Sequence, residues 1–265
     1  MRFLFLFLFL FAKKLNAQTT SGARFMAMAN AGSALEGVYS LGGNQAGVAS
    51  VDQLKLALTF HEHNYSTDVR SIAAFFVFPS SIGVLGFYAN MYNLGYDLNE
   101  LRGGLTLSRL LTSKFAVAGT LNYHQRSIYE YGIDKALSFD LGFQYKLSEY
   151  WLLGTHFINP LAYISTDELS YEIPAQIRLG ASYMLSNQVL LAMESRLSMD
   201  KYQDFRLGLE YSIITSLNLR GGTSFLPFKR YVGVGVDFNK ISVDVASSFH
   251  PQLGMSSQFA LNYAF

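Results

Sequence analysis

The chain has 265 residues; half are hydrophobic and only 15% are charged, against about a quarter charged in ordinary soluble domains. The formal net charge of +1 speaks against a nucleic-acid partner, which calls for a basic excess. The absence of cysteine rules out thiol catalysis, cysteine-ligated zinc and disulfide stapling.

Residues 1–17 read as a targeting segment. Arg2 gives a positive start, Phe3 to Ala12 form an apolar run of ten residues, and Asn16-Ala17-Gln18 offers a cleavage point after Ala17. Ten residues are too few to span a bilayer as a helix, which needs about 20. Cleavage there would remove Arg2, Lys13 and Lys14. It leaves 17 basic against 19 acidic residues, a mature charge of −2.

Residues 18–50 lack a clean period and are rich in Gly, Ala and Ser. They predict an irregular segment with one short helix over 25–35. Small residues let backbone approach backbone closely, which suits a segment tucked inside a larger structure.

Residues 51–265 form the second unit. From Gln53 onward, apolar and polar residues alternate almost continuously. A period of two marks strands with one apolar face. Fourteen such stretches follow one another, at 53–61, 70–78, 83–92, 100–111, 115–125, 136–147, 151–158, 175–185, 189–197, 203–212, 217–225, 230–238, 241–249 and 255–265. In the sixth, Leu137, Phe139, Leu141, Phe143, Tyr145 and Leu147 share a face opposite Ser138, Asp140, Gly142, Gln144 and Lys146.

The connections alternate too. Those after even strands are short; several after odd strands are longer, at 62–69, 93–99, 126–135 and 159–174. Short turns on one side and larger loops on the other are the habit of bacterial outer-membrane barrels. An even strand count places both chain ends on the periplasmic side. Tyr145, Tyr183, Tyr211 and Tyr263 fall near the ends of even strands, and Trp151 opens an odd strand at the same level. Such amphipathic rings form a girdle at the boundary of hydrocarbon and water. The expected fold is therefore all-β: a 14-stranded antiparallel transmembrane barrel with a small N-terminal hatch segment. Fourteen strands enclose more space than the filled eight-stranded barrel, and residues 18–50 are the available filling.

The chain ends on Phe265, with Phe259, Leu261 and Tyr263 on the same face. This resembles the C-terminal signal of outer-membrane barrels and implies handling by the barrel-assembly machinery. A further resemblance lies in Gly22-Ala23-Arg24, Met26, Met28, Ala31-Gly32 and Ala34, followed by Asn44-Gln45-Ala46-Gly47-Val48-Ala49. These residues look like the start of FadL-type fatty-acid transporters and of their PorV-type relatives, which serve type IX protein secretion in Bacteroidota. The resemblance implies a hatch inside a fourteen-stranded barrel, with Gly22, Ala23, Arg24, Asn44, Ala46 and Gly47 as its motif. Gln45 stands where proline is usual, and only Glu36 remains of an acidic pair. The outer loops are shorter than those FadL-type proteins use for capture.

The alternation directs Lys55, Arg102, Arg126, Asp140, Lys146, Arg178, Glu194, Arg196, Arg206, Glu210, Arg220, Asp237 and Asp244 inward. With both signs present, these charges read as cross-strand ion pairs that fill the lumen or grip the hatch; a mixed-charge pathway is the other reading. His61 and His63 share a strand face as a two-point metal set. Ser108, Asn122 and His124 are the nearest approach to a catalytic serine constellation. Asp97, Glu100, Asp167 and Glu168 fall on outer loops as acidic candidates for calcium. None forms a specific motif, so neither an enzyme nor a cofactor is expected. The expected function is that of a PorV-like accessory in secretion or surface assembly, partnered by outer-membrane lipid and by secretion proteins or exported cargo. A passive or hatch-gated channel for small or hydrophobic molecules is the alternative.

Overall fold

In the computed structural model, which describes residues 21–63, 69–95, 97–160, 164–165, 173–198 and 203–265, one antiparallel sheet closes on itself. Its strands are β1 (Lys55–Glu62), β2 (Val69–Ser80), β3 (Gly83–Leu94), β4 (Leu98–Leu110), β5 (Phe115–Ile128), β6 (Gly132–Lys146), β7 (Trp151–Ile158), β8 (Ile164–Ser165), β9 (Gln176–Ser186), β10 (Val189–Ser198), β11 (Asp204–Ile214), β12 (Leu217–Phe225), β13 (Phe228–Phe238), β14 (Ile241–His250) and β15 (Gly254–Ala264). Fourteen of them make a ring of staves. The two-residue β8 only adds to β6, at Ala136 and Leu137. Residues 1–17, read as a targeting segment, and Asp167 and Glu168, read as loop carboxylates, lie outside the described residues.

The ring closes where β1 meets β15, with Lys55 opposite Ala264 and Phe60 opposite Phe259. β5 pairs with β6 across the other side, so each of the fourteen staves has a neighbour on both flanks among the described residues. Closure satisfies every stave on both flanks, which is the condition for a sheet in hydrocarbon.

The period of two becomes two surfaces. Leu58, Phe60, Ile72, Phe87, Leu105, Leu121, Leu179, Leu209, Phe259 and Leu261 are exposed on the outside. Their strand neighbours Ala57, Thr59, Thr106, Thr120 and Gln258 are buried inside. An apolar belt this extensive is unstable in water and suited to lipid. At one rim Tyr145, Tyr211 and Tyr263 are exposed, and Trp151 packs its ring 4.5 Å from that of Tyr183. Phe265 continues this rim, 58% exposed, with its ring edge-on to Tyr263 and its backbone N–H donating to Leu54 O at 3.0 Å.

The turns on the aromatic rim are tight, at 81–82, 111–114, 147–150, 187–188, 215–216 and 239–240. Asn239 takes a positive φ of 51°, as the first central residue of a primed hairpin turn does. The longer loops expected at 93–99 and 126–135 are shorter than their sequence suggests. Pairing continues to Leu94↔Leu98 and to Ile128↔Gly132, which leaves three residues between the first pair and a turn at 129–131 between the second. The alternation fades there because, beyond the belt, both faces meet water; the backbone ladder persists without it. Tyr129 N–H donates to Asp97 O and ties these two connections together. Glu100, expected on a loop, consequently sits in β4 opposite Arg126.

The expected helix over 25–35 is also different. An α-helix covers only Ala23–Ala27, and short 3-10 helices cover Val38–Gly42 and Gln45–Val48. Ala29 and Asn30 both take left-handed φ values, 56° and 55°, and end the first helix.

The closing strand carries a prediction. Phe265→Glu puts a charge into the aromatic rim at the end of that strand. During refolding into lipid vesicles, the heat-modifiable folded band should fall to a small fraction of the wild-type yield. Equal folded yield would show that the terminal ring is dispensable for closure.

Candidate functional site

Residues 21–51 occupy the inside of the ring. Nearly all are buried, with Ala23, Met28, Ala29, Leu41 and Val48 fully so. The staves admit this backbone through glycines on their inner face. A Cβ at Gly154 would lie 1.8 Å from Ser33 O, at Gly142 2.3 Å from Asn44 Oδ1, and at Gly222 2.7 Å from Ala29 N. Inward strand glycines mark such close approach of backbone.

Polar contacts then fasten the segment to one arc of the wall. Arg24 grips Glu210 with two nitrogens, at 2.8 and 2.9 Å, and donates to Glu36 O at 3.2 Å. Glu194 accepts both the backbone N–H and the hydroxyl of Ser33 at 2.7 Å, while Arg196 holds its other oxygen at 2.6 Å. The left-handed turn is clamped by its carbonyls. Arg206 donates to Ala29 O at 2.9 Å and Arg196 to Asn30 O at 2.6 Å. Asn44 donates to Ser33 O and to Phe143 O of β6, and Gln144 donates to Ser33 O and Leu35 O. Burial alone would lower the pKa of Arg24, but the field of Glu210 prevails and holds it above its ordinary value.

The inward charges sort into pairs. Arg220 bridges Glu210 and Asp244, Arg206 binds Asp204, Arg102 binds Asp140 at 3.2 Å, and Arg126 binds Asp134 at 3.1 Å. Lys146 lies 3.7 Å from Glu36 of the inner segment. Asp237 accepts from Asn218. Lys55 is half-buried at the start of β1, opposite Ala264. Arg178 donates to Gln176 and meets no carboxylate within ion-pair distance among the described residues.

Opposite the charged arc the wall is apolar. Ala57 of β1, Ala73, Phe75 and Val77 of β2, and Val84 and Tyr88 of β3 form one buried cluster with Phe25, Tyr39 and Leu41. Tyr39 meets Phe75 edge-on at 5.9 Å, and Phe75 stacks on Tyr88 at 6.4 Å. Burial raises the pKa of the Tyr39 hydroxyl, so it stays protonated.

The motif residues hold this segment's own shape. Gly22 has a φ of 87°, and a Cβ there would strike the Tyr39 ring. Ala23 opens the short helix, and Asn44 accepts from Ala46 N–H to cap the last one. Gly47 accepts from Gly37 N–H, and a Cβ on it would lie 2.3 Å from Leu35 O.

The other candidates resolve differently. His61 and His63 lie side by side, ring centroids 3.8 Å apart, and His63 bonds Ser71. Among the described residues, no group of three or more His, Cys, Asp or Glu side chains is placed to hold a metal. Burial, then the charge of Lys229, brings His63 down to about 4. Ser108 donates to Ala46 O, Asn122 accepts from Tyr88, and His124 bonds Ser138 instead. The geometry does not bring the three together. Asp97 is exposed in its turn. Sequence reasoning missed Ser33, Gln144 and His156. The inward glycines at 142, 154, 208 and 222 were the available sign of where backbone would arrive.

No protein-family model matches this sequence, and no curated protein matches it. Solved structures do. The P. putida toluene transporter TodX superposes with a TM-score of 0.75 at 14% identity, covering 94% of this chain and 99% of its own. The CymD monoaromatic hydrocarbon channel gives 0.72 at 13%, covering 94% and 98%. A Pseudomonas aeruginosa FadL homologue gives 0.66 at 12%, covering 92% and 98%. At such identities the shared property is the fold.

Close packing at the inner glycines predicts a separable effect. Gly154→Ala should push residues 21–51 out of place while the staves still pair. In a chain carrying Ala31→Cys as its single thiol, maleimide labelling should speed up at least tenfold, with heat-modifiable migration kept. Gly103→Ala, whose Cβ meets Tyr88 O only at an ordinary 3.7 Å, should leave labelling unchanged. Equal labelling in both variants would mean that Gly154 does not seat the segment.

Proposed function

We propose that this protein is an outer-membrane conduit for small hydrophobic molecules, with residues 21–51 as its hatch. The observation that carries the reading is the apolar seam inside the barrel. A water-filled pore has a polar interior, whereas here Phe75, Val77, Val84 and Tyr88 line one arc and are covered by Leu41 and Tyr39. The seam offers a hydrocarbon the environment it seeks. The narrow spaces left in the lumen hold little more than a water molecule, so passage requires the inner segment to yield. The fold neighbours support the reading, since two bear the names of a toluene transporter and a monoaromatic hydrocarbon channel. In this account the N-terminal segment 1–17 directs export, the assembly machinery inserts the barrel, and both chain ends face the periplasm.

A second reading, as an accessory in protein secretion or surface assembly, draws on the short turns at 129–131, 226–227 and 251–253. At these described turns the wall stands low, where a protein partner can approach. The fold neighbours favour the conduit.

The test is uptake of a labelled monoaromatic hydrocarbon by cells that carry or lack the protein. Expression should raise uptake several-fold without raising entry of a sugar of similar size. Phe75→Asp places a charge in the seam and should return uptake to background while folded protein remains in the outer membrane. Uptake that ignores expression would end the conduit reading. Co-purification of a secretion component would then favour the second.

A further inference from the structure

Three buried polar groups stand together on the inner face where the ring closes. His61 of β1 lies opposite Gln258 of β15, and Thr59 sits one inward step along β1, opposite Ala260. Thr59, His61 and Gln258 are 3%, 8% and 2% exposed, yet Thr59 Oγ1, His61 Nε2 and Gln258 Nε2 have no hydrogen-bond partner. Buried polar atoms left unpaired are costly, and three side by side point to an occupant. A direct cross-strand pair stands about 5 Å apart at Cβ and a diagonal one about 7 Å, so a single small group between them reaches all three.

The surroundings are apolar. Ala57, Ala73, Phe75 and Ala260 belong to one buried cluster with Met26 and Ala27 of the inner segment. Ala73 faces Thr59 from β2, and Phe75 of the seam faces Ala57, one inward step nearer the aromatic rim. The His61 ring is held in place by His63, whose centroid lies 3.8 Å away and which bonds Ser71 at 2.9 Å. The polar spot therefore borders the apolar seam.

The three atoms define the chemistry of their occupant. The Thr59 hydroxyl and the Gln258 amide donate, and His61 Nε2 accepts when its ring proton is on Nδ1. A hydroxyl group carries two acceptor lone pairs and one donor, the complement of that set. We propose that Thr59, His61 and Gln258 bind the hydroxyl of a small phenol or aromatic alcohol, whose ring lies along Phe75 in the seam. The inference rests on the conduit reading for how such a molecule arrives, and room for the ring is made when the inner segment yields. It names the solute as a monoaromatic molecule with one uncharged hydroxyl. A site with buried hydrogen-bonding groups rejects an isostere that lacks the matching group, because its own groups then stay unpaired.

The isosteres p-cresol and p-xylene differ by hydroxyl for methyl and test this directly. In equilibrium dialysis against the full protein in nanodiscs, with empty nanodiscs as the blank, p-cresol should bind about tenfold more tightly. Thr59→Val, which keeps the side-chain shape, and Gln258→Leu should abolish the preference. Thr106→Val, a matching change on β4 where the hydroxyl is already bonded to Thr120, should keep it. If Gln258→Leu fails to fold, Thr59→Val decides. Equal affinity for the two solutes overturns the proposal. So does a preference that Thr59→Val leaves untouched, or tighter binding of the carboxylate p-toluate. Uptake by cells separates this site from the conduit. Expression-dependent entry of p-xylene with no preference for p-cresol in dialysis keeps the conduit and removes the hydroxyl site. Entry of neither solute, with p-cresol binding intact, keeps the site and removes the conduit.

Discussion

The rest of the structure depends on closure of the sheet. Hydrocarbon offers no hydrogen-bond partner, so a stave with one free flank would leave a row of peptide groups unsatisfied at several kcal/mol each. The pairing of β1 with β15 removes that row. It also fixes parity. With β1 in place, a slip of one residue in this register would turn Gln258 to the lipid and Phe259 to the lumen. The outer belt and the inner lining are thus set by one pairing.

Closure at fourteen staves creates the next demand. The ring is too wide for its own side chains to fill, and residues 21–51 complete it. Their attachment is lopsided. On β10 and β11, Glu194, Arg196, Arg206 and Glu210 meet Ser33, Asn30, Ala29 and Arg24 through charge-assisted hydrogen bonds. Such bonds are about twice as strong as neutral ones. On the arc from β1 to β3, contact is by burial of Leu41, Tyr39 and Phe25 against Phe75 and its neighbours. Each such side chain contributes roughly 1.5–3 kcal/mol.

The staves were legible because lipid demands a strict period of two. The stretch read at 217–225 is β12 as found, and that at 151–158 is β7. Between 93 and 99 and between 126 and 135 the same signal failed, because strands standing above the belt face water on both sides. The inner segment was harder. Its small residues pointed to close packing, but a helix over 25–35 ignored the left-handed pair Ala29 and Asn30, which Arg206 and Arg196 hold from 177 and 166 residues away. No local propensity encodes that clamp. Nor does the sequence show that Ser138, not Ser108, meets His124. That contact depends on the register between β5 and β6.

The two kinds of attachment have different consequences under the conduit reading. Drawing the segment off the charged arc leaves guanidinium and carboxylate groups buried without their partners, and no hydrocarbon compensates for that. Drawing it off the apolar arc exposes Phe75, Val77 and Tyr88, a cost that exists only while water replaces Leu41 and Tyr39. A hydrocarbon entering the seam replaces them with contacts of the same kind, so the apolar arc can be relined at little net cost. The arginine clamps then act as the fixed side of the segment and the aromatic seam as the side that yields. The molecule that gains most from the opening is one that makes it inexpensive.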